Sequence, residues 1–418
     1  MRTVGPAGKQ SGSHWKGWAK RLDSVRIITP VRDGVLADAL LEDGRLAELS
    51  LMPEKPSSIL GNIYTGRVQN IVHNIQAAFV EIEGGLPCYL PLEDVKNPVY
   101  TKPKKRGRLA QGDELLVQVS REAVKTKAPS VTTNLNLAGK YLVLTTGNRV
   151  IGYSSKLRPE EKARLKGLLE TWELPPAGLI VRTNAGQAGE TELRKEYDRL
   201  CGQYRYLTEQ AVHRTVCSCV MKNRPPYLNS ILGSRSGCLK EILTDDPELY
   251  GQIQEFLAEE MPEDTGKLRL YEDRSLPLKA LYRLEKGLSD ALSEKVWLKS
   301  GAYLIIEPTE ALTVIDVNTG KCTKGRAKQE SIRRINLEAA EEIARQLRLR
   351  NLSGIILVDF VDMEQKETEE ELLAVMREFL KRDPLKAAAV DITELGLMEI
   401  TRKKQRKTLL EQAKECGI

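Results

Sequence analysis

Histidine is the scarcest residue in this sequence, with three among 418 positions. None of the three stands in a Ser-His-Asp or Cys-His pattern, so nucleophilic catalysis of that kind has no support. Cysteine is also sparse. Its count of seven is odd, which argues against a disulfide framework and for a reducing compartment. Cys217-Ser218-Cys219 with His213 nearby lacks the spacing of the common zinc motifs. There is no run of about 18 apolar residues, so no transmembrane helix is expected. The first twenty residues, "MRTVGPAGKQSGSHWKGWAK", are basic but have no apolar centre. Residues 1–21 therefore read as a disordered basic arm rather than a secretory signal, and the expected location is the cytoplasm. Neither sign of charge dominates: 64 basic residues stand against 58 acidic ones, and the net +6 is compatible with an anionic partner without requiring one.

What is present is a succession of short patterned segments, with no internal repeat. Residues 22–57 read as strands, with Asp43-Gly44 as a hairpin turn. From Ile59 the segment "ILGNIYTGRVQNIVHNIQAAFVEIEGGLPCYLPLEDV" alternates apolar and polar residues between glycine turns, and "DELLVQVSREAV" adds another strand. Such spacing predicts a small antiparallel barrel over 58–130. Residues 131–221 predict strands with helices from Pro159 to Thr171 and from Glu190 to about Val216. Helices are expected over about 237–262, then a strand at "KLRLYED" and a helix at "LKALYRLEKGLSDALS". Residues 297–400 alternate strand and helix.

Two strand-like runs end on aspartate: "VIDVNTGK" on Asp316 and "ILVDFVDM" on Asp359. Between them Ile332, Ile335, Ala339, Ile343 and Leu347 recur at helical spacing, and Asn351 and Gly354 supply stop signals. Strand, helix and strand in that order predict a βαβ unit with parallel strands. Neighbouring strands lie about 5 Å apart, so both carboxylates would meet at one sheet edge. Paired carboxylates repel each other, and a hard divalent cation such as Mg2+ relieves that repulsion. Asn318 is placed either to orient the Asp316 carboxylate or to bind the ligand, and Asp362 is a further acid nearby. The plainer alternative is a pair of strand-ending aspartates that cap loops.

The phrases "TEALTVIDVNTGK", "INLEAAEEIARQLRLRNLSGIILVDFVDM" and "GNIYTGRVQNIVHNIQAAFVEIEG" resemble the ribonuclease E/G family of bacterial endoribonucleases, from about Val25 to Arg406. The resemblance implies a multidomain α+β fold. An RNase H-like scaffold (22–57 and 222–292) would be split by an OB-type RNA-binding barrel (58–130) and a 5′-end sensor (131–221). A DNase-I-like α/β catalytic domain (293–406) and a C-terminal tail (407–418) would follow. It implies Mg2+-dependent cleavage of single-stranded RNA in RNA processing or decay, with 5′-monophosphate and 3′-hydroxyl products. Asp316 and Asp359 would be the metal ligands and Asn318 their support. The alternative is an RNA-binding scaffold that has lost cleavage, against which the intact Asp316, Asn318 and Asp359 stand.

The resemblance also assigns RNA-holding residues. Phe79 and Tyr89 correspond to two family phenylalanines that stack bases, and Arg121 is expected to hold phosphate. Arg182 and Thr183 match the family's 5′-monophosphate pocket, where a guanidinium fork and a hydroxyl suit a terminal phosphate. Lys386 stands where relatives carry an arginine. It keeps the charge and loses the fork. Lys127 and Ala128 depart from the family's usual Lys-Gly loop. The family's paired-cysteine CPxC motif is incomplete: Cys416 has no second cysteine after it. Any homo-oligomer is therefore expected to form without a zinc link. The length is nearer that of the family's shorter members.

Overall fold

The computed structural model describes residues 22–54, 58–102, 107–123, 128–235, 237–320, 328–404 and 406–418. The N-terminal arm and Lys127 lie outside these residues. The described residues form a mixed α/β fold organised around four sheets, one of them a closed barrel.

The first sheet begins as a meander of Ser24–Arg32, Val35–Glu42 and Arg45–Pro53. Its second turn has positive φ at both Asp43 and Gly44, which matches the twist of the flanking strands. After a long excursion the chain returns with Leu239–Thr244, which pairs parallel to Ser24–Arg32, and then Leu268–Leu270. The Leu239–Thr244 strand overturns the expectation of helices throughout 237–262. "LKEILT" has apolar residues at helical spacing, but Leu239, Ile242 and Leu243 are buried in a central strand, where tertiary packing decides. The helix starts later, at Pro247–Glu260, where Asp246 accepts hydrogen bonds from the backbone N–H groups of Glu248 (2.8 Å) and Leu249 (2.9 Å).

During the excursion, Ile63–Val72, Ala77–Glu81, Pro87–Pro91, Ser130–Thr132 and Glu114–Arg121 form the barrel in that spatial order. Antiparallel pairing of Ile63–Val72 with Glu114–Arg121 closes the ring, giving a five-strand, OB-like barrel around Val68, Val80, Leu90, Val117 and Val131. Gly66 is required here, because a Cβ would lie 2.5 Å from Val80. A four-stranded sheet of Ile151–Tyr153, Gly178–Val181, Leu142–Thr145 and Asn136–Ala138 follows. It packs against helices Pro159–Leu169 and Glu190–Arg205.

The last sheet runs Lys295–Trp297, Tyr303–Pro308, Leu312–Asn318, Gly354–Asp359, Leu397–Arg402, Ala387–Ile392 across its width. Among the described residues of this sheet, only Leu312–Asn318 and Gly354–Asp359 pair parallel, joined by the long helix Lys328–Leu349. That helix and Lys366–Leu380 bury one face of the sheet, through Ile335, Ile343, Leu372 and Met376 against Ile315, Val317, Ile356 and Val358. The opposite face stays open. Asn351, at φ 50°, ends the helix in the left-handed conformation. Near that end, buried Arg348 grips Glu42 (2.7 and 2.9 Å) and Glu48 (2.8 Å), tying the helix to the first sheet. Among the described residues, no helix is long and apolar enough to cross a membrane.

Candidate functional site

In Leu312–Asn318 burial alternates strictly. Thr313, Ile315 and Val317 face the helices, while Val314 and Asp316 face solvent. Gly354–Asp359 buries Ile356 and Val358 and leaves Asp359 exposed. The parallel register pairs Asp316 with Asp359, so the two carboxylates stand side by side on the open face at the carboxyl ends of their strands. Asn318 Nδ2 donates to Asp316 Oδ2 at 2.6 Å. Partial desolvation, together with the charges of Asp316 and Asp362, pushes the Asp359 carboxyl above its usual value. Gly320 follows at φ 59°, and a Cβ there would lie 2.6 Å from the Gly301 carbonyl oxygen.

This donor set is all oxygen and crowded with like charge, which fits a hard cation. Among the described residues no group of three or more His, Cys, Asp or Glu is arranged to hold a metal, the Cys217–Cys219 region with His213 included. Two carboxylates are nonetheless a sufficient protein contribution for Mg2+, which keeps several waters and takes substrate oxygens. Cys416 is half-buried after the final helix Leu409–Glu415, and burial raises its thiol pKa.

Sequence reasoning missed Asn336. It is fully buried on the helix between the two strands, and its side chain holds Val361: Nδ2 donates to the carbonyl at 2.8 Å and Oδ1 accepts the N–H at 3.1 Å. The clamp fixes the segment that carries Asp359 and Asp362. The available signal was an amide on the apolar face of a helix, where a buried polar group needs partners.

On the barrel, register aligns Asn70, Phe79, Tyr89, Ser130 and Arg121 in one row across five strands. Phe79 and Tyr89 are half-buried, with rings edge-to-face at 6.2 Å, and Arg121 is exposed at its strand end. Ala128 lies just before the Ser130–Thr132 strand.

Arg182 and Thr183 sit where Gly178–Val181 runs into a short 3-10 turn. The half-buried Arg182 guanidinium donates to the Gly139 carbonyl. Burial holds its pKa below the usual value, yet arginine remains cationic. Glu196 supports the neighbouring turn that carries Gly139, accepting the N–H groups of Lys140 (2.7 Å), Tyr141 (2.8 Å) and Leu142 (2.7 Å). The hydroxyls of Thr183 and Ser154 share a hydrogen bond of 2.8 Å. Two residues on, Lys156 donates to the Asp383 carbonyl, bringing the segment before Lys386 towards this region, and Lys386 is exposed. Ser154 and Lys156 were not singled out from sequence, because an ordinary polar turn gives no periodic signal. The predicted residues thus fall on three separate sheets: the carboxylates with Asn318, the barrel row, and the Arg182–Thr183 turn.

A closed OB-like barrel joined to an open-faced sheet with paired carboxylates defines the class, a mixed α/β protein with its polar groups gathered on exposed sheet surfaces. The ribonuclease E/G family model matches residues 136–405. The chain is 35% identical over 400 residues to ribonuclease G of Haemophilus influenzae, covering 93% of this chain and 81% of that protein. It is 34% identical to ribonuclease G of Escherichia coli (91% of this chain, 80% of that protein). To ribonuclease E of Synechocystis it is also 34% identical (86% of this chain, 55% of that protein). The chain belongs to the ribonuclease E/G family.

Proposed function

We propose that the protein is a Mg2+-dependent endoribonuclease that cleaves single-stranded RNA, prefers a 5′-monophosphorylated end and serves RNA processing or decay in the cytoplasm. The observation that carries this reading is the register of Asp316 beside Asp359. Membership of a family whose relatives bear the name ribonuclease supports it. In this reading the first sheet is the RNase H-like scaffold, residues 131–221 are the 5′-end sensor, and 293–406 are a DNase-I-like catalytic domain.

Asp316 and Asp359 would hold the ion. When bound, Mg2+ supplies stabilisation of charge on a phosphoryl oxygen and a water of lowered pKa. Asn318 fixes the orientation of the Asp316 carboxylate. Asp362 adds negative field beside Asp359, which raises the Asp359 pKa and draws positive charge to the pair. Phe79 and Tyr89 offer ring surfaces for unpaired bases, and Arg121 at the end of the same row offers charge to the backbone. Arg182, Thr183 and Lys386 would receive the terminal phosphate, a single phosphate fitting the guanidinium and hydroxyl better than a triphosphate.

The test is cleavage of one single-stranded RNA prepared with a 5′-monophosphate or a 5′-hydroxyl. The monophosphate form is expected to be cut faster. Arg182→Ala is expected to remove about ten- to a hundredfold of that preference, the worth of charge-assisted hydrogen bonds. Equal rates for both RNAs with the unmutated protein would contradict the sensing role.

Asn336 acts through the backbone it clamps. Asn336→Leu is expected to lower kcat about ten- to a hundredfold by loosening the Asp359 segment. KM should change little, because the barrel holds the RNA. A normal kcat would show that the clamp is structural only.

A further inference from the structure

The chain has four tryptophans. Trp172 is 7% exposed and belongs to a core, whereas Trp297 is 64% exposed on an edge strand. In register, Trp297 pairs with Tyr303, and Tyr303 pairs with Asn318. Cross-strand partners point to the same side of a sheet, so Trp297 shares the open face with Asn318 and, one side-chain repeat along, Asp316. Two strand steps separate Trp297 from Asn318, about 10 Å. The Trp297 and Tyr303 rings lie 5.2 Å apart, tilted by 60°. Lys295 Nζ lies 4.1 Å from the Trp297 ring centroid and 3.7 Å from that of Tyr303. A large apolar ring, a second ring and an ammonium group thus form one exposed cluster that continues the surface bearing Asp316, Asn318 and Asp359.

An aromatic face beside a cation is the combination that holds single-stranded nucleic acid, the ring stacking a base and the cation meeting the backbone. Lys295 also supplies positive charge on a face where the carboxylates supply negative charge, so a polyanion on this surface has a favourable contact beyond any metal. We propose that Trp297, with Tyr303 and Lys295, forms a stacking subsite for an unpaired nucleobase of the RNA on the Asn318 side of the carboxylate pair, and so helps to set where the strand is cut. This subsite rests on the endoribonuclease reading.

The test compares the unmutated protein, Trp297→Ala and Trp297→Phe on short 5′-monophosphorylated single-stranded RNAs with one defined cut. In each RNA one nucleotide near the cut is replaced by an abasic ribose. The unmutated protein is expected to lose about tenfold in kcat/KM at one position, the scale of base–aromatic stacking. Trp297→Ala is expected to lose about as much, roughly tenfold, on the intact RNA and nothing more when that same position is abasic. Trp297→Phe, which keeps a ring, should recover most of the loss. Full cleavage of every RNA by Trp297→Ala, or an unchanged abasic profile in it, would overturn the subsite and leave the cleavage reading standing. A change in self-association of Trp297→Ala by sedimentation, with an unchanged abasic profile, would assign the surface to a second copy of the chain and also overturn it. No cleavage of any RNA by the unmutated protein would remove the endoribonuclease reading and the subsite with it.

Discussion

Asp359→Asn is expected to reduce RNA cleavage by roughly a thousandfold or more, the scale of losing a main electrostatic contribution to a transition state. The substitution keeps the side-chain shape, so strand Gly354–Asp359 should keep its register and its buried Ile356 and Val358. What changes is charge. One of two adjacent carboxylates becomes neutral, and under the proposed function a divalent cation would lose half of its anionic protein ligands. RNA binding should persist, because Phe79, Tyr89 and Arg121 lie on the barrel. The measurement pairs single-turnover cleavage with equilibrium binding of the same RNA. Near-normal cleavage by Asp359→Asn would remove Asp359 from the metal site, whereas loss of binding together with cleavage would point to a misfolded variant.

Asp383→Ala is expected to cost about 3–5 kcal/mol of stability, the usual result of stranding a buried charge. Asp383 and Arg402 are almost wholly buried, with Arg402 Nε donating to Asp383 Oδ2 at 2.6 Å. Arg402 Nη1 also donates to Asn351 Oδ1 at 2.8 Å and to the Leu352 carbonyl at 2.9 Å, linking the strand Leu397–Arg402 to the end of the long helix. The Asp383 carboxylate further accepts the Leu385 N–H at 2.8 Å, shaping the segment that leads to Lys386, and its carbonyl receives Lys156. Removing the carboxylate leaves the guanidinium charged and unmatched. The effect should appear as a lower urea midpoint and faster amide exchange across 397–402. Asp383→Asn, which keeps the acceptor oxygen, should cost less. An unchanged midpoint for Asp383→Ala would contradict this account of the pair.

Local pattern made much of the last sheet and its site legible. The apolar run ending on Asp316, the helical spacing from Ile332 to Leu347 and the stop at Asn351 are all short-range signals, and the structure has a parallel strand pair joined by that helix. The barrel strands were legible for the same reason. Which strands meet to close the expected barrel was not, because pairing of Ile63–Val72 with Glu114–Arg121 joins segments far apart in sequence. Leu239–Thr244 misled because Leu239, Ile242 and Leu243 fall at helical spacing, a pattern too short over six residues to separate a strand from a helix. The strand Leu397–Arg402 lies between Gly354–Asp359 and Ala387–Ile392, an order that no local pattern encodes. Asn336, Ser154 and Lys156 went unnoticed because each works through a partner distant in the chain.

The most direct test of the central claim is to incubate the unmutated protein with a 5′-monophosphorylated single-stranded RNA, with Mg2+ and with a chelator, and to map the product ends. The account predicts internal cuts that need Mg2+ and leave 5′-monophosphate and 3′-hydroxyl termini. Undiminished cutting in chelator, termini of the opposite polarity, or RNA bound and left intact with Mg2+ present would contradict it.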